Sequence, residues 1–311
     1  MGSVNGKDAA TAALAERTAH ESSIKRNPHP DFKGVENSRP DWEENASWHY
    51  TKTRQPGWKW GQGGNDGGAS LEKSHVEIDP HEPGRPPAFN YKLLISAIIP
   101  RPIGFLSTLS ADGTSSNLAP FSYTNMVNHD PPIFAIGITG GIANAKDTLA
   151  NIASSKECVL NIISEHFVEA ANSTSVNAPY GTSEWGLSGL HQAPSTHVKP
   201  ARVKEAIFSV ECKLMELKEF DSRANPGKKS GTLMLLEGVN FWARDDAIND
   251  EKNIIDPEAR YFGLSSFRIK SRLGGVTYGR LTEGFEILRP DFSSVNEAEN
   301  SRELLEKASK P

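Results

Sequence analysis

Apolar runs divide the middle of the chain into short strands separated by polar turns. Residues 103–109 and 133–138 form two such runs, and the Ala-Asp-Gly at 111–113 supplies residues that tolerate a tight turn. Residues 146–148 precede apolar positions at helical spacing, which indicates a helix start. The pattern therefore predicts a hairpin, a further strand and then a helix.

Further patterns continue to residue 243. Residues 158–163 are typical of a buried strand and residues 165–175 of a helix, while residues 208–215 alternate as a half-buried strand does. Residues 231–243 predict another strand. Strands thus dominate the predicted elements, and helices cover them.

Residues 117–125 do not fit a regular central strand, because they contain Pro120 and mix polar with aromatic side chains. A phosphate monoester is favoured where helix-start N–H groups, small hydroxyls and a lysine converge, and amides suit the polar edge of a heteroaromatic ring. The same residue types also serve as ordinary turn and cap residues, so the residues alone leave both interpretations open. Such groups are offered by Ser107, Thr108, Asn117, Ser122, Thr124, Asn125, Lys146 and Thr148, and Phe121 and Tyr123 could flank a ring.

Charge and length restrict the class of partner. The formal net charge is −5, so the chain has no broad basic field, and neither a nucleic acid nor a membrane surface is expected as a partner. No apolar run reaches the length of a membrane span, and residues 1–22 lack the apolar core of a secretory signal. We therefore expect a cytoplasmic protein.

Cysteine and histidine spacing offers no metal or redox centre. Cys158 and Cys212 are the only cysteines and lie in apolar strand-like runs, so we expect buried, reduced thiols. No C-x-x-C or H-E-x-x-H occurs, and we assign no metal. G-x-S-x-G is absent too, which argues against a hydrolase triad.

Residues 1–85 form an N-terminal arm that is dense in Pro, Gly and charge, with a weak alanine-rich helix over residues 1–21. We hypothesise that residues 41–68 wrap over the folded domain or its dimer mate; the alternative is a floppy arm with incidental aromatics. The arm's glycines do not make G-x-G-x-x-G, so no separate nicotinamide domain is predicted. The hypothesis rests on four clustered tryptophans, Trp42, Trp48, Trp58 and Trp60.

Nine motifs follow one another between residues 91 and 280. They are Y-K-L-L at Tyr91, P-R-P-I-G at Pro100, S-T-L-S-A-D-G at Ser107, N-L-A-P-F-S at Asn117, D-P-P at Asp130, K-D-T-L-A-N-I at Lys146, V-L-N-I at Val159, V-K-P-A-R-V at Val198 and L-G-G-V-T-Y-G-R at Leu273. On these motifs the chain resembles the flavin reductase-like family, FMN-binding split-barrel proteins that include flavoredoxins and small reductase components of two-component monooxygenases.

The resemblance implies a fold that is mainly β with α, a Greek-key split β-barrel with covering helices. It implies a domain over residues 86–290, between the arm at 1–85 and a charged tail at 291–311. In this family the protein usually forms a homodimer, with FMN in a groove at the subunit interface. Arg272 and Tyr278 are expected near that groove or the dimer contact.

The site residues follow from the same resemblance, position by position. Arg101 is a further candidate that could instead pair with a carboxylate. Tyr180 and Trp185, in the loop over residues 177–189, either line a substrate mouth or only anchor that loop. The implied FMN contacts are Arg101, Ser107, Thr108, Asn117, Ser122, Tyr123, Thr124, Lys146, Asp147 and Thr148.

The implied activity is that of an FMN-dependent oxidoreductase. NAD(P)H would act as a transient donor that binds over the flavin, and a free flavin or a small-molecule substrate would accept the electrons. No residue stands out as an obligate proton donor, which suits chemistry that the cofactor carries. Two alternatives stay open: an FMN enzyme specific for one small organic substrate, and a non-catalytic flavin-binding electron carrier.

Overall fold

The structure, a computed structural model, describes residues 31–41, 49–176, 178–179, 181–255, 283–287, 289, 291, 294 and 301–308. Its contacts divide the chain into two units, residues 1–44 with 86–281 and residues 45–85 with 282–311. Several expectations fall outside the described residues: the helix over residues 1–21, and the roles of Trp42, Trp48, Tyr180, Arg272 and Tyr278.

The described strands are short except for one long hairpin. In chain order they are β1 His49–Tyr50, β2 Gly104–Leu109, β3 Ser116–Phe121, β4 Thr124–His129, β5 Pro132–Thr139, β6 Glu157–Ile162, β7 Gln192–Ala193, β8 Arg202–Val203, β9 Phe208–Asp221, β10 Lys229–Ala243 and β11 Glu283–Gly284. Seven of them form one antiparallel sheet in the order β3-β2-β6-β9-β10-β5-β4.

The helices are few and short, so the predicted class, mainly β with α, is confirmed. They are α1 Phe32–Asn37, α2 Pro87–Ala97, α3 Asp147–Ser155, α4 Val168–Ser173, α5 Glu184–Ser188 and α6 Ser301–Ala308. Short 3-10 turns cover Ala69–Glu72, Ile142–Asn144 and Glu165–Phe167. No helix among the described residues is long and apolar enough to cross a membrane.

The predicted hairpin is the pair β2 and β3. Its turn has Gly113 in the left-handed region, at a φ of 76°, and the Asp112 carboxylate accepts hydrogen bonds from the Ser110 hydroxyl and the Thr114 N–H. Pro120 lies within β3, which among the described strands pairs only with β2, so its missing N–H leaves no gap in a central ladder.

Two apolar clusters pack on opposite faces of β2. Phe105 belongs to a cluster with Leu118, and the next residue, Leu106, belongs to a cluster with Leu149 and Met234. Successive side chains of a strand point to opposite faces, which explains the division. Helix α3 therefore covers the Leu106 face of β2, and its N-terminus lies beside the sheet edge formed by β3.

The second unit has its own local structure. His49 and Tyr50 of β1 pair in parallel with β11. In the arm, the Trp58 and Trp60 rings lie edge to face with their centroids 5.9 Å apart, and Trp58 Nε1 donates to the Gly63 carbonyl at 2.9 Å. These contacts give the tryptophan-rich part of the arm a defined local geometry.

Candidate functional site

A cavity of about 190 Å³ lies between β3, the start of α3 and the segment that leads into α5. It brings together four of the predicted site residues, Asn117, Lys146, Asp147 and Thr148. The remaining described lining is Ala119, Pro120, Phe121, Thr174, Ser175, Val176, Ala178 and Glu184. The cavity therefore joins a polar helix start to the apolar end of an edge strand.

Helix α3 presents its positive end to this cavity. Lys146 is the N-cap in an extended conformation, and no side-chain cap hydrogen bond is formed there; the first-turn N–H groups lie at the positive end of the helix dipole. Thr148 lies in this first turn and is 2% exposed. The local sequence favours this arrangement, because Leu149 and Ile152 anchor the helix in the core while its start stays polar.

Asn117 links β3 to the start of α3. One terminal atom of its side-chain amide lies 2.7 Å from Thr148 Oγ1 and the other lies 3.1 Å from Glu184 Oε2. The Leu118 N–H donates to the same Glu184 oxygen at 3.1 Å. Because β3 is an edge strand, this carboxylate satisfies a backbone donor that the sheet leaves unpaired.

The segment before α5 and Glu184, the first residue of that helix, are tied to α3 and β3 at three points. Gly181 N–H donates to Asp147 Oδ2 at 3.3 Å, and the Ser183 and Ser116 hydroxyls lie 3.0 Å apart. The third point is Glu184, which the sequence analysis did not identify. In the sequence, the one sign of Glu184 is that it precedes the apolar Trp185. Residue spacing does not reveal that this loop returns to β3.

Burial is the main electrostatic influence on Glu184. The residue is 5% exposed, and burial raises the pKa of its carboxyl above its ordinary value. Asp147 raises the pKa further by charge repulsion, while the hydrogen bond from the Leu118 N–H lowers it. The cavity therefore contains a carboxyl group that is easier to protonate than an exposed glutamate.

Ser107 and Thr108 lie on β2, outside the residues that line the cavity. The Ser107 hydroxyl donates to the Ala201 carbonyl at 2.5 Å, and Thr108 Oγ1 accepts from Asn151 Nδ2 at 3.1 Å. Both side chains are 1% exposed. Their hydroxyls bond to neighbouring elements in this structure, and their role as FMN contacts stays a prediction.

The predicted residues Ser122, Tyr123 and Thr124 lie at the turn between β3 and β4. Thr124 Oγ1 donates to the Phe121 carbonyl at 2.8 Å, whereas the Tyr123 side chain is 43% exposed. Burial of its inner part raises the pKa of the Tyr123 phenol, and Tyr91 adds to that effect. These residues do not line the cavity at α3, and their contact with FMN also stays a prediction.

Arg101 and Trp185 have structural partners. Arg101 Nη1 donates to the carbonyls of Ile95 and Ile98, at the C-terminal end of α2, where a cation is favourable. Trp185 is 6% exposed and packs in the cluster that contains Phe105. This position favours the alternative in which Trp185 anchors its loop.

The two cysteines are free and buried, which confirms the predicted reduced thiols. They face each other across β6 and β9, and a hydrogen bond to Cys212 together with burial raises the pKa of Cys158 well above its ordinary value. Over the part of the chain that the structure describes, no group of three or more His, Cys, Asp or Glu side chains could hold a metal ion.

Comparison with known proteins adds a family and several relatives. The profile of the flavin reductase like domain matches residues 96–265. YwrF, an uncharacterised protein of Bacillus subtilis, is 35% identical over 200 residues, which is 64% of this chain and 93% of YwrF.

Solved structures agree with that match. Nitrilotriacetate monooxygenase component B from Bacillus cereus has 29% identity and a TM-score of 0.61, covering 69% of this chain and 100% of that chain. The 2-nitrobenzoate 2-nitroreductase NbaA of Pseudomonas fluorescens has 27% identity and a TM-score of 0.58, covering 70% of this chain and 98% of that chain. A Shewanella frigidimarina protein with a split barrel domain has 18% identity and a TM-score of 0.53, covering 70% and 100%; this likeness concerns the fold alone and confirms the predicted split barrel.

Proposed function

Because this chain belongs to the flavin reductase-like family, we propose that it is an FMN-dependent oxidoreductase whose bound flavin is reduced by NADH or NADPH. The observation that supports this function best is the cavity at the start of α3. It joins Asn117, Lys146 and Thr148, three residues that the family motifs predict as cofactor contacts.

The chemistry of these residues suits the phosphate end of FMN. The start of α3 supplies the positive end of a helix dipole, Lys146 supplies a positive charge, and Thr148 supplies a hydroxyl at the same place. Bound flavin would supply hydride acceptance and onward electron transfer. The chain's own part is to hold and orient the cofactor, and the apolar residues Pro120 and Phe121 would shield it from water.

Two acceptors fit the family. The first is a free flavin, as in the reductase components of two-component monooxygenases, and the name of the Bacillus cereus relative, a monooxygenase component B, favours it. The second is a small organic substrate, which the name of NbaA, a 2-nitrobenzoate 2-nitroreductase, favours. A carrier without its own substrate is the third alternative, and a bound flavin that neither NADH nor NADPH reduces would favour it.

We also propose that the protein is a homodimer. Strand β4 is an edge of the main sheet, and five of its six residues are exposed, among them Met126 at 62% and Val127 at 55%. On α2 and just after it, Phe89, Leu94 and Ile98 are also about half exposed. Exposed apolar groups beside an unpaired strand edge are typical of a surface that another chain covers.

The proposed cofactor site is tested with two ligands that differ only in the phosphate. We expect FMN to bind, and Lys146→Met to weaken FMN affinity by about tenfold, because a charge-assisted hydrogen bond contributes about 1.4 kcal/mol or more. Riboflavin lacks the phosphate, so its affinity for the variant should equal its affinity for the native protein. The measurement is a fluorescence-quenching titration of each flavin.

Lys204→Met is the matched control, because Lys204 is an exposed lysine that does not line the cavity. It should leave both affinities unchanged. Equal losses of FMN and riboflavin affinity in Lys146→Met would show that Lys146 does not contact the phosphate.

A further inference from the structure

Two carboxylates line the cavity to which the proposed function assigns the FMN phosphate. Asp147 is 9% exposed and Glu184 is 5% exposed, so water screens neither side chain well. A phosphate that enters beside two ionised carboxylates would meet strong like-charge repulsion. A buried acid relieves such repulsion by taking up a proton.

Of these two acids, Glu184 is the one that we expect to take up the proton. Among the residues that the structure describes near Glu184, α3 contributes Asp147 and the preceding Lys146, α4 contributes the exposed Glu169, and β3 contributes no titratable group. Its burial and the Asp147 carboxylate already raise the pKa of Glu184 before any ligand enters. A bound phosphate would act in the same direction.

The Asn117 amide fits both protonation states of Glu184. With Glu184 ionised, the amide N–H donates to Glu184 Oε2 at 3.1 Å, and the amide oxygen accepts from the Thr148 hydroxyl at 2.7 Å. With Glu184 protonated, its O–H can donate to the amide oxygen, and the amide N–H donates to Thr148 Oγ1 at 2.7 Å. The same three side chains thus form a complete chain of hydrogen bonds in either direction.

The direction of this chain decides what Thr148 offers to the cavity. A hydroxyl has a single proton. In the first arrangement that proton is used on Asn117, and only lone pairs face a ligand. In the second arrangement Asn117 is the donor, so the Thr148 proton is available to a phosphate oxygen.

We propose that Glu184 is a positioning residue that takes up one proton from solvent when a phosphate-bearing flavin binds, turning the Asn117 amide so that Thr148 donates to the phosphate. This inference rests on the proposed function, because it concerns the same cavity. In this step one O–H bond forms on Glu184 with a proton that the solvent releases, and no other covalent bond changes. The two hydrogen bonds that join Glu184 to Asn117 and Asn117 to Thr148 exchange donor and acceptor, and a third forms from Thr148 to the phosphate.

The test is the pH dependence of FMN affinity between about pH 7 and about pH 8.5, where the phosphate keeps a constant charge because its second pKa is near 6. For the native protein the dissociation constant should rise with pH, by up to about tenfold per unit for one proton. Glu184→Gln removes the ionisable carboxyl, and its amide N–H can donate to Asn117 as the protonated acid would. The hydrogen bond from the Leu118 N–H is lost in that arrangement, because both contacts fall on Glu184 Oε2. This variant should bind FMN tightly across this range.

Controls separate this inference from the proposed function. Riboflavin affinity should not change with pH, and Glu157→Gln should keep the native pH dependence, because Glu157 bonds to the Lys199 N–H away from the cavity. Calorimetry in buffers of different ionisation enthalpy should show proton uptake on FMN binding to the native protein, and this measurement needs no variant. FMN binding without proton uptake, or with the same pH dependence in Glu184→Gln, would overturn the inference alone. No FMN binding at any pH would overturn the proposed function as well.

Discussion

Glu211, on β9, shows how a single buried carboxylate organises the loop before β8. The residue is 0% exposed and accepts hydrogen bonds from Trp242 Nε1 at 2.6 Å, Thr196 N at 2.9 Å, His197 N at 2.5 Å and Asn240 Nδ2 at 3.2 Å. Burial by itself would raise the pKa of Glu211, but these four hydrogen bonds lower the pKa to about 2.

This lowered pKa predicts an acid-sensitive contribution to stability. Because the pKa of Glu211 is lower in the folded chain than its ordinary value of 4.5, ionised Glu211 stabilises the fold above pH 4.5 and this stabilisation is lost as the pH falls toward about 2. Glu211→Gln should lower the free energy of unfolding at neutral pH by about 2 kcal/mol. Between pH 4.5 and about 2, the free energy of unfolding of this variant should fall less than that of the native protein. Denaturant unfolding over a pH series measures both effects.

Glu216→Gln is the control for this prediction, because Glu216 is exposed on the same strand. It should change the free energy of unfolding by less than about 0.5 kcal/mol. If Glu211→Gln keeps the acid dependence of the native protein, Glu211 is not the group that titrates.

At the same scale, the sequence reveals some cavity residues and hides others. The motifs beside the predicted strand ends contain Asn117, Lys146 and Thr148, and these residue types suit a binding role. Glu184 and Glu211 are not visible in that way, because each bonds to backbone N–H groups that only the folded chain brings near. These hydrogen-bond partners are distant in sequence and irregularly spaced, so they produce no periodic pattern along the chain.

Among the strands of the main sheet, β4 is the one that pattern analysis missed. The buried strands β5 and β6 have continuous apolar runs, and the hairpin turn has its own residue chemistry. By contrast, the residues of β4 are T-N-M-V-N-H, and five of the six are exposed. A strand without a buried face shows neither an apolar run nor an alternation, so periodicity cannot detect it.

The exposure of β4 predicts how two copies of the chain meet. The native protein should be a dimer at micromolar concentration, and Met126→Glu should shift it to a monomer, because burying an unpaired carboxylate costs several kcal/mol. Size-exclusion chromatography with light scattering gives the mass directly. Met215→Glu is the matched control, since Met215 is 54% exposed on β9, which lies inside the sheet order and not at its edge.

Two results would contradict this prediction about the interface. A native protein that stays monomeric at micromolar concentration would refute the proposed homodimer. A Met126→Glu variant that remains as dimeric as the Met215→Glu control would show that the β4 edge is not the contact surface.

At the scale of the molecule, composition and periodicity predict the class of fold but not its topology. The sheet order β3-β2-β6-β9-β10-β5-β4 places β3 and β4, neighbours in sequence, at opposite ends of the order. Local spacing contains no information about that arrangement, so the split barrel was predicted from the motif series. The cavity depends on it, because β3 must lie beside the start of α3 for Asn117 to reach Thr148.

The central claim is that this chain binds FMN and accepts hydride from a reduced nicotinamide. The most direct test is to load the purified protein with FMN, exclude oxygen, add NADH or NADPH, and record the visible flavin absorption. We predict that at least one of the two donors bleaches the flavin band, and that readmitted oxygen or an added acceptor restores it. A bound flavin that stays oxidised with both donors would contradict the account and would favour the electron-carrier alternative.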